Sequence, residues 1–418
     1  MKIGILTQYY PPEIGAPQAR LSELAASFVS RGHEVFVLTA MPSYPIGRIY
    51  PGYGGICKKE TKDGCTVIRT WVYPAKSVSM LKRVASYLSF AASSVVCGVF
   101  ALPRMDYLVV ESPPLFLGLS GWLLSCLKRA RFIFNVSDLW PETAVRLGVL
   151  SNGWKLEAAQ WLERFCYRSS WLVSGQSSEI VNAVARMCPD TPTYHFSNGV
   201  NTAIFDPSRR SDAVRKELGF EGCVALYSGL HGIAQGLMQV LHAAYQLKNV
   251  EELQFVFIGD GPDKVALKEK AKEMRLDNVR FLDPAPRNRM PEIVSAADIG
   301  LVPLKVQLPG AVPSKLYEFM GSGLPVVLAA TGEPAQIVTN SKCGVVVPPD
   351  DSASLATAIL NLCRDDRRRA TMGRNGRLAV EEFHDRRIIS QAFVEHLEMK
   401  LIGREGAVEV RSAVSGER

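Results

Sequence analysis

The chain has no Cys-x-x-Cys pair and no Asp-x-Asp dyad, and its six histidines are dispersed. It therefore offers neither a zinc-type ligand set nor the acidic dyad that often holds a divalent ion, and no metal or other cofactor is expected. The nine cysteines are scattered and read as buried, reduced core residues of a cytosolic protein. No Ser-His-Asp signature is present. No nucleic-acid recognition motif accompanies the modest excess of positive charge, +7 over 418 residues. That excess suits phosphorylated substrates or an anionic membrane surface. The start, Met1-Lys-Ile-Gly-Ile-Leu-Thr, reads directly as a strand with no signal-peptide region, so a cytoplasmic location is expected. One stretch lacks charge altogether. Val84 to Leu102 is apolar apart from four serines and Tyr87, with Lys82 and Arg83 before it and Arg104 after. It reaches the lower end of a bilayer span, but it lies between elements of one domain and is expected to be a buried or interfacial helix. With Lys128, Arg129 and Arg131 behind a second apolar run, it implies peripheral contact with the inner membrane's cytoplasmic face.

What is present is a repeated strand-helix pattern, and 47% apolar residues suffice for full cores. Ile3 to Leu6 reads as a buried strand. Leu21, Leu24, Ala25 and Phe28 mark a helix ended by Gly32, and Glu34 to Thr39 is the next strand. Further strands are expected at Tyr107 to Val110, Phe132 to Val136 and Trp171 to Ser174. A second set follows at Cys223 to Ser228, Phe255 to Ile258, Val279 to Phe281, Ile299 to Val302, Pro325 to Leu328 and Gly344 to Val347. The fold class is therefore α/β, with two Rossmann-like doubly wound domains facing a central cleft. The boundaries expected are 1–205, 206–385, a helix at 386–402 returning to the first domain, and a flexible tail at 403–418.

The most informative run is Val312-Pro-Ser-Lys-Leu-Tyr-Glu-Phe-Met-Gly-Ser-Gly-Leu-Pro-Val-Val327. It reads as a loop, a short helix, a glycine break and a buried strand. Ser314 is the expected N-cap, and the amides behind it would hold an anion. Leu316, Phe319 and Met320 form one apolar face, and Lys315 and Glu318 share the other. A phosphate-seeking helix start with an acid one turn deeper suits a nucleoside diphosphate. The competing reading is a surface Lys-Glu pair on a capped helix.

Several segments in order carry a resemblance: Tyr10-Pro-Pro-Glu-Ile-Gly-Ala16, Asn198-Gly-Val-Asn201, Phe257-Ile-Gly-Asp-Gly-Pro262, Ala296-Ala-Asp298 and Pro313 to Val327. Together they resemble the retaining family-4 glycosyltransferases of GT-B fold. Ser137-Asp-Leu-Trp-Pro-Glu142 and Val312-Pro-Ser-Lys315 look like the bacterial O-antigen and colanic-acid enzymes, including the fucosyl and N-acetylfucosaminyl type. The resemblance implies transfer of a sugar from a nucleotide-sugar donor, UDP being expected, to a lipid-linked or growing glycan in surface polysaccharide synthesis. Retention of anomeric configuration follows from the resemblance and not from any residue. A nucleotide-sugar 2-epimerase and a non-catalytic assembly scaffold are the alternatives.

Two departures stand out. The family's glutamate pair has seven residues between its members; Glu318 matches the second, and Gly310 stands at the first. The Arg and Lys that often grip the diphosphate are replaced by Leu230 and Gln235. Lys315 and the Ser314 helix start then become the main means of offsetting diphosphate charge, with His231 behind them. Donor-binding candidates are Gly15, Gly232, Gln235, Gly236, Ser314, Lys315, Leu316, Glu318 and Glu333. Asp138, Glu142 and Lys315 are the catalytic candidates. For Asp138 and Glu142 the competing reading is a helix cap and a first-turn acid. Arg20 and Glu111 are acceptor-side candidates, Arg20 reading equally well as a solvated helix residue.

Overall fold

The short apolar runs are strands in the computed structural model, which describes residues 1–75, 80–306 and 308–415. The first sheet contains β1 (Lys2–Thr7), β2 (Glu34–Ala40), β3 (Cys57–Lys62), β4 (Cys65–Thr70), β5 (Tyr107–Ser112), β6 (Arg131–Val136), β7 (Leu172–Gly175) and β8 (Thr193–His195). Their order is β3-β4-β2-β1-β5-β6-β7-β8. The second contains β9 (Cys223–Ser228), β10 (Leu253–Ile258), β11 (Val279–Leu282), β12 (Ile299–Pro303), β13 (Val326–Ala329) and β14 (Gly344–Val347). Their order is β11-β10-β9-β12-β13-β14. Every pairing is parallel except β3 with β4. These are two Rossmann-like α/β halves. Helices cover both faces of a parallel sheet, so its central strands are buried on both sides; all residues of β5 and β9 are buried.

The chain crosses between the halves twice, and the two crossings are tied together. Val200 N–H donates to the His384 carbonyl (2.9 Å), and Arg386 N–H donates to the Val200 carbonyl (3.0 Å). The helix Arg386–Ser415 then lies on the first half. Its Phe393, Val394 and Leu397 share a core cluster with Leu21, Leu24 and Phe28 of the helix Ala16–Ser30. Its backbone continues through the segment expected to be a tail as far as Ser415, and 416–418 lie outside the described residues.

The uncharged stretch is the helix Met80–Ala101. Phe90, Ser94 and Cys97 are buried, while Leu88, Val96 and Phe100 face outward. By length and composition Leu81–Ala101 would suffice to cross a membrane. All nine thiols are free, but Cys57 and Cys126 are exposed, which corrects the expectation that all are core residues. Cys57 begins the edge strand β3, and Cys126 lies in the helix Leu117–Lys128.

Candidate active site

The carboxyl ends of the parallel strands in both halves open onto one cavity of about 280 Å³. Ser137 and Asp138 follow β6, Gln176 follows β7, Leu304 and Val306 follow β12, and Thr331 follows β13. Ligands of doubly wound folds bind at this end of the sheet. Arg20, Glu179, Gln235, Ser314 and Lys315 also line it.

The wall from the first half is a buried hydrogen-bond network. Arg20 is buried, and its Nη2 reaches Glu111 Oε1 at 2.6 Å and Ser137 Oγ at 2.5 Å, while Nη1 donates to Gln176 Oε1 at 2.8 Å. Asn135 Nδ2 donates to Glu111 Oε2 (2.5 Å), and Ser174 donates to Asn135 (2.7 Å). Arg20 is thus not a solvated helix residue; it borders the cavity and holds its neighbours in place. Glu111 is interior and engaged by Arg20, which corrects its acceptor-side reading. Asp138 stands at the cavity edge of this network. Burial, and then the Glu111 carboxylate, push its pKa up to about 6, with Arg20 opposing. A carboxyl titrating there is a more effective base near neutral pH than an ordinary aspartate. Glu142 is not a cavity residue. It is exposed on the short helix Glu142–Arg146 and pairs with Arg146 one turn on (2.9 Å).

The wall from the second half is looser. The helix Ser314–Gly321 is fixed from behind by Leu316, Phe319 and Met320, all fully buried. Each such side chain contributes about 1.5–3 kcal/mol of burial. Leu316 is therefore a core residue, a correction to its donor-binding reading. Ser314 is the first helical residue and Pro313 the N-cap, with no side-chain cap bond, so the expected cap is also corrected. Leu316 N–H donates to the Pro313 carbonyl (3.0 Å), which leaves the Ser314 and Lys315 amides at the helix start.

Lys315 lines the cavity, and among the described residues it forms no ion pair. Its Nζ sits 3.8 Å from the centre of the Tyr227 ring. A Cβ on Gly229, whose φ is +129°, would come within 3.2 Å of that Nζ, so the glycine leaves room for the ammonium. Burial lowers the Lys315 pKa to about 7, with Glu318 opposing. Glu318 is half-buried outside the cavity lining; burial pushes its pKa up, and Arg386, Arg287 and Lys315 pull it back.

His231 supplies no charge. It is fully buried among Tyr227, Phe257 and Phe281, and burial followed by Lys264 and Lys315 lowers its pKa to about 4. Gln235 borders the cavity, whereas Leu230 is exposed. Gly232 and Gly236 flank the turn Ile233–Gln235 and are not lining residues. Gly15 lies next to the lining residue Ala16, and its carbonyl accepts from Arg287 Nη1 (3.1 Å). Arg287 and Arg386, unmarked in the sequence reading, place cations on the Glu318 side of the cleft. Among the described residues no group of three or more His, Cys, Asp or Glu side chains is arranged to hold a metal ion.

Glu333 and Glu179 cross between the halves. The Glu333 carboxylate accepts from Ser178 N (3.1 Å), Ser178 Oγ (2.8 Å) and Glu179 N (3.0 Å), at the start of the helix Ser178–Met187. In return Glu179 Oε1 accepts from Glu333 N (3.1 Å), and its Oε2 accepts from Gly310 N (2.7 Å). Each helix start receives a carboxylate from the other half, the arrangement that a helix N-terminus favours. Glu333 is occupied by this exchange, a correction to its donor-binding reading. Glu179 was not singled out from sequence; its only signal was an acid two residues after the cap Ser177.

Comparison with known proteins accords with this geometry. The family description "Glycosyl transferases group 1" matches residues 211–379, and "Glycosyl transferase 4-like domain" matches residues 15–199. The putative colanic acid biosynthesis glycosyl transferase WcaI of Escherichia coli K12 is 30% identical over 341 residues, covering 79% of this chain and 83% of that one. Sucrose-phosphate synthase from Thermosynechococcus elongatus superposes with a TM-score of 0.77 at 19% identity, covering 96% of this chain and 99% of that one. Anabaena HepE in complex with UDP and glucose superposes at 0.71 and 19% identity, covering 96% and 100%.

Proposed function

Because the chain belongs to the group 1 glycosyl transferases of GT-B fold, a family shown by its similarity to WcaI, we propose that it moves a sugar from a UDP-sugar to a lipid-linked or growing glycan in surface polysaccharide synthesis. The observation that carries this reading is the cavity itself. Lys315, a cation without an ion-pair partner among the described residues, and the start of its helix, which carries no side-chain cap there, face Asp138 across a space at the carboxyl ends of both sheets. The diphosphate lies at Ser314 and Lys315, whose amides and ammonium offset the charge that grows on the leaving group. In this reading no metal is needed, and chelation by EDTA leaves turnover unchanged. Glu318, one turn deeper on the same helix and just outside the cavity lining, is assigned the ribose hydroxyls, which extend beyond the diphosphate. Asp138 accepts the proton of the acceptor hydroxyl. The relative WcaI carries the name of a polysaccharide pathway, and HepE binds UDP; both support the donor and acceptor classes proposed. Retention, and a fucosyl or N-acetylfucosaminyl unit, belong to the same proposal.

The acceptor reading also assigns a resting place. Val96 and Phe100 of one helix and Trp122 of the next are exposed, and Trp122 and Trp161 both meet the Phe165 ring. With Arg104, Lys128 and Arg129 nearby in the chain, this apolar face suits the cytoplasmic surface of an anionic membrane. Flotation with anionic lipid vesicles is expected to carry the protein, and Phe100→Ser with Trp161→Ser to release it. A protein that stays wholly in solution at low salt would overturn this part.

The test of the function is a panel of UDP- and GDP-sugars, with membrane lipid extract as acceptor and labelled lipid as the readout. Transfer from at least one donor is expected. Consumption of donor without acceptor, yielding an epimer, would favour the epimerase alternative.

A further inference from the structure

Of the two carboxylates exchanged between the halves, only one borders the cavity. Glu333 has three donors on its two oxygens and does not line the space. Glu179 does line it, and among the described residues each of its oxygens accepts a single backbone N–H, from Glu333 and from Gly310. A carboxylate oxygen accepts about two hydrogen bonds, so Glu179 retains one acceptor position on each oxygen.

Gly310 shows that this placement is built in. Its φ is +70°, and a Cβ there would stand 2.4 Å from Ile180 Cγ1 and 2.8 Å from Ser177 Oγ. A side chain at position 310 would have to displace Ile180 and Ser177 at the start of the Ser178 helix and hold a left-handed backbone. The carboxylate that meets Gly310 comes from the first half, 131 residues away in sequence, and it is Glu179.

We propose that Glu179 reads the donor sugar, its carboxylate accepting hydrogen bonds from hydroxyls of the transferred unit. The proposal rests on the glycosyl-transfer reading and deepens it. Lys315 and Ser314, on the same cavity, hold the diphosphate end of the donor, so the sugar attached to it lies within the space that Glu179 borders. A carboxylate suits adjacent hydroxyls, since both of its oxygens accept and neither donates. The partners that orient Glu179 belong to the other half. The sugar subsite is therefore complete only while the halves are together, and sugar recognition is coupled to closure. The nucleotide, held by the second half, does not depend on it.

Calorimetry tests this with wild-type protein, Glu179→Ala, Glu179→Gln and Glu333→Gln. The probes are UDP-glucose, UDP-N-acetylglucosamine, GDP-mannose and GDP-fucose, each set against its own nucleoside diphosphate. For the sugar that the wild type prefers, both Glu179 variants are expected to weaken binding about 10- to 100-fold. The matching diphosphate should change less than about twofold, since it touches neither oxygen. Glu333→Gln loosens the exchange that orients Glu179 without itself facing the cavity, and is expected to weaken the same nucleotide sugar less than the Glu179 variants do, with the diphosphate again within about twofold. Equal losses for donor and diphosphate in the Glu179 variants would reduce Glu179 to an interdomain tie and overturn the proposal. A donor loss in Glu333→Gln as large as that in Glu179→Ala would overturn it as well, because the carboxylate that faces the cavity would then not be the group that matters. Wild-type protein that binds no nucleotide sugar would instead overturn the transfer reading on which it stands.

Discussion

The two walls of the cavity are made differently. On the first-half wall Arg20, Glu111, Asn135, Ser137 and Gln176 are bonded to one another, and the groups are buried. On the second-half wall Lys315 has a ring face but, among the described residues, no carboxylate within ion-pair distance, and its helix start carries no side-chain cap. A charge already satisfied within the protein gains little from a ligand, whereas one kept waiting gains much. The first wall is thus a fixed surface that presents Asp138, and the second is where an anion is captured. Electrostatic preorganisation needs both.

The largest expected effect lies in the fixed wall. Arg20→Ala leaves Glu111 as a buried charge with only neutral donors, and should lower the unfolding free energy by about 3–5 kcal/mol. Urea denaturation measures it. A loss below about 1 kcal/mol, the range of a surface pair, would mean that the pair does not organise the wall. Next comes the capturing wall. Lys315→Ala should cut kcat about 10²- to 10³-fold, the scale for removing one donor aimed at developing charge. Its melting temperature should hardly move, because no carboxylate is left unpaired. Loss of stability with turnover intact would reverse the assignment of the two walls.

The same comparison has a pH signature. Burial lowers the Lys315 pKa to about 7, so below that pH the free enzyme holds an ammonium and above it a neutral amine. A bound diphosphate favours the ammonium and must restore the proton. UDP affinity should therefore be flat below about pH 7 and fall by roughly tenfold per unit above it. Lys315→Arg keeps its charge and should flatten the profile. An unchanged slope in that variant would move the titrating group elsewhere. The fixed wall gives the opposite limb: Asp138, raised to about 6, loses its base form as pH falls through that value, and kcat/KM falls with it.

The architecture was legible in the sequence because parallel strands buried on both faces are written as continuous apolar runs. The edge hairpin β3–β4 was not read, although Asp63-Gly64 is a turn signal and both residues have positive φ. Its strand β3 alternates exposed and half-buried residues, a pattern weaker than that of the central strands. The Lys315 helix was legible for the same reason as the strands: its apolar face is local. What sequence could not show was pairing at long range. Arg20 finds Glu111 across 91 residues, and Glu179 finds Gly310 across 131. Gly310 reads as a lost acid in one dimension. In three it is the space through which another acid arrives.

The smallest expected effect sharpens the comparison most. Glu142 shares a motif with Asp138, four residues on, and from sequence both are candidates for the chemistry. The structure separates them. Asp138 lines the cavity, while Glu142 points to solvent and meets Arg146 one turn along its own helix. An exposed pair of that spacing contributes about 0.3–0.5 kcal/mol. Glu142→Ala should therefore shift the melting temperature by no more than a degree or two. Its kcat should stay within about twofold of wild type, whereas Asp138→Ala should lose the 10²- to 10⁴-fold that a positioned base supplies. Paired turnover assays on the two variants decide it. A comparable loss in Glu142→Ala would mean that the acceptor reaches beyond the cavity to the outer face of this helix, and that the fixed wall is wider than the hydrogen-bond network around Arg20.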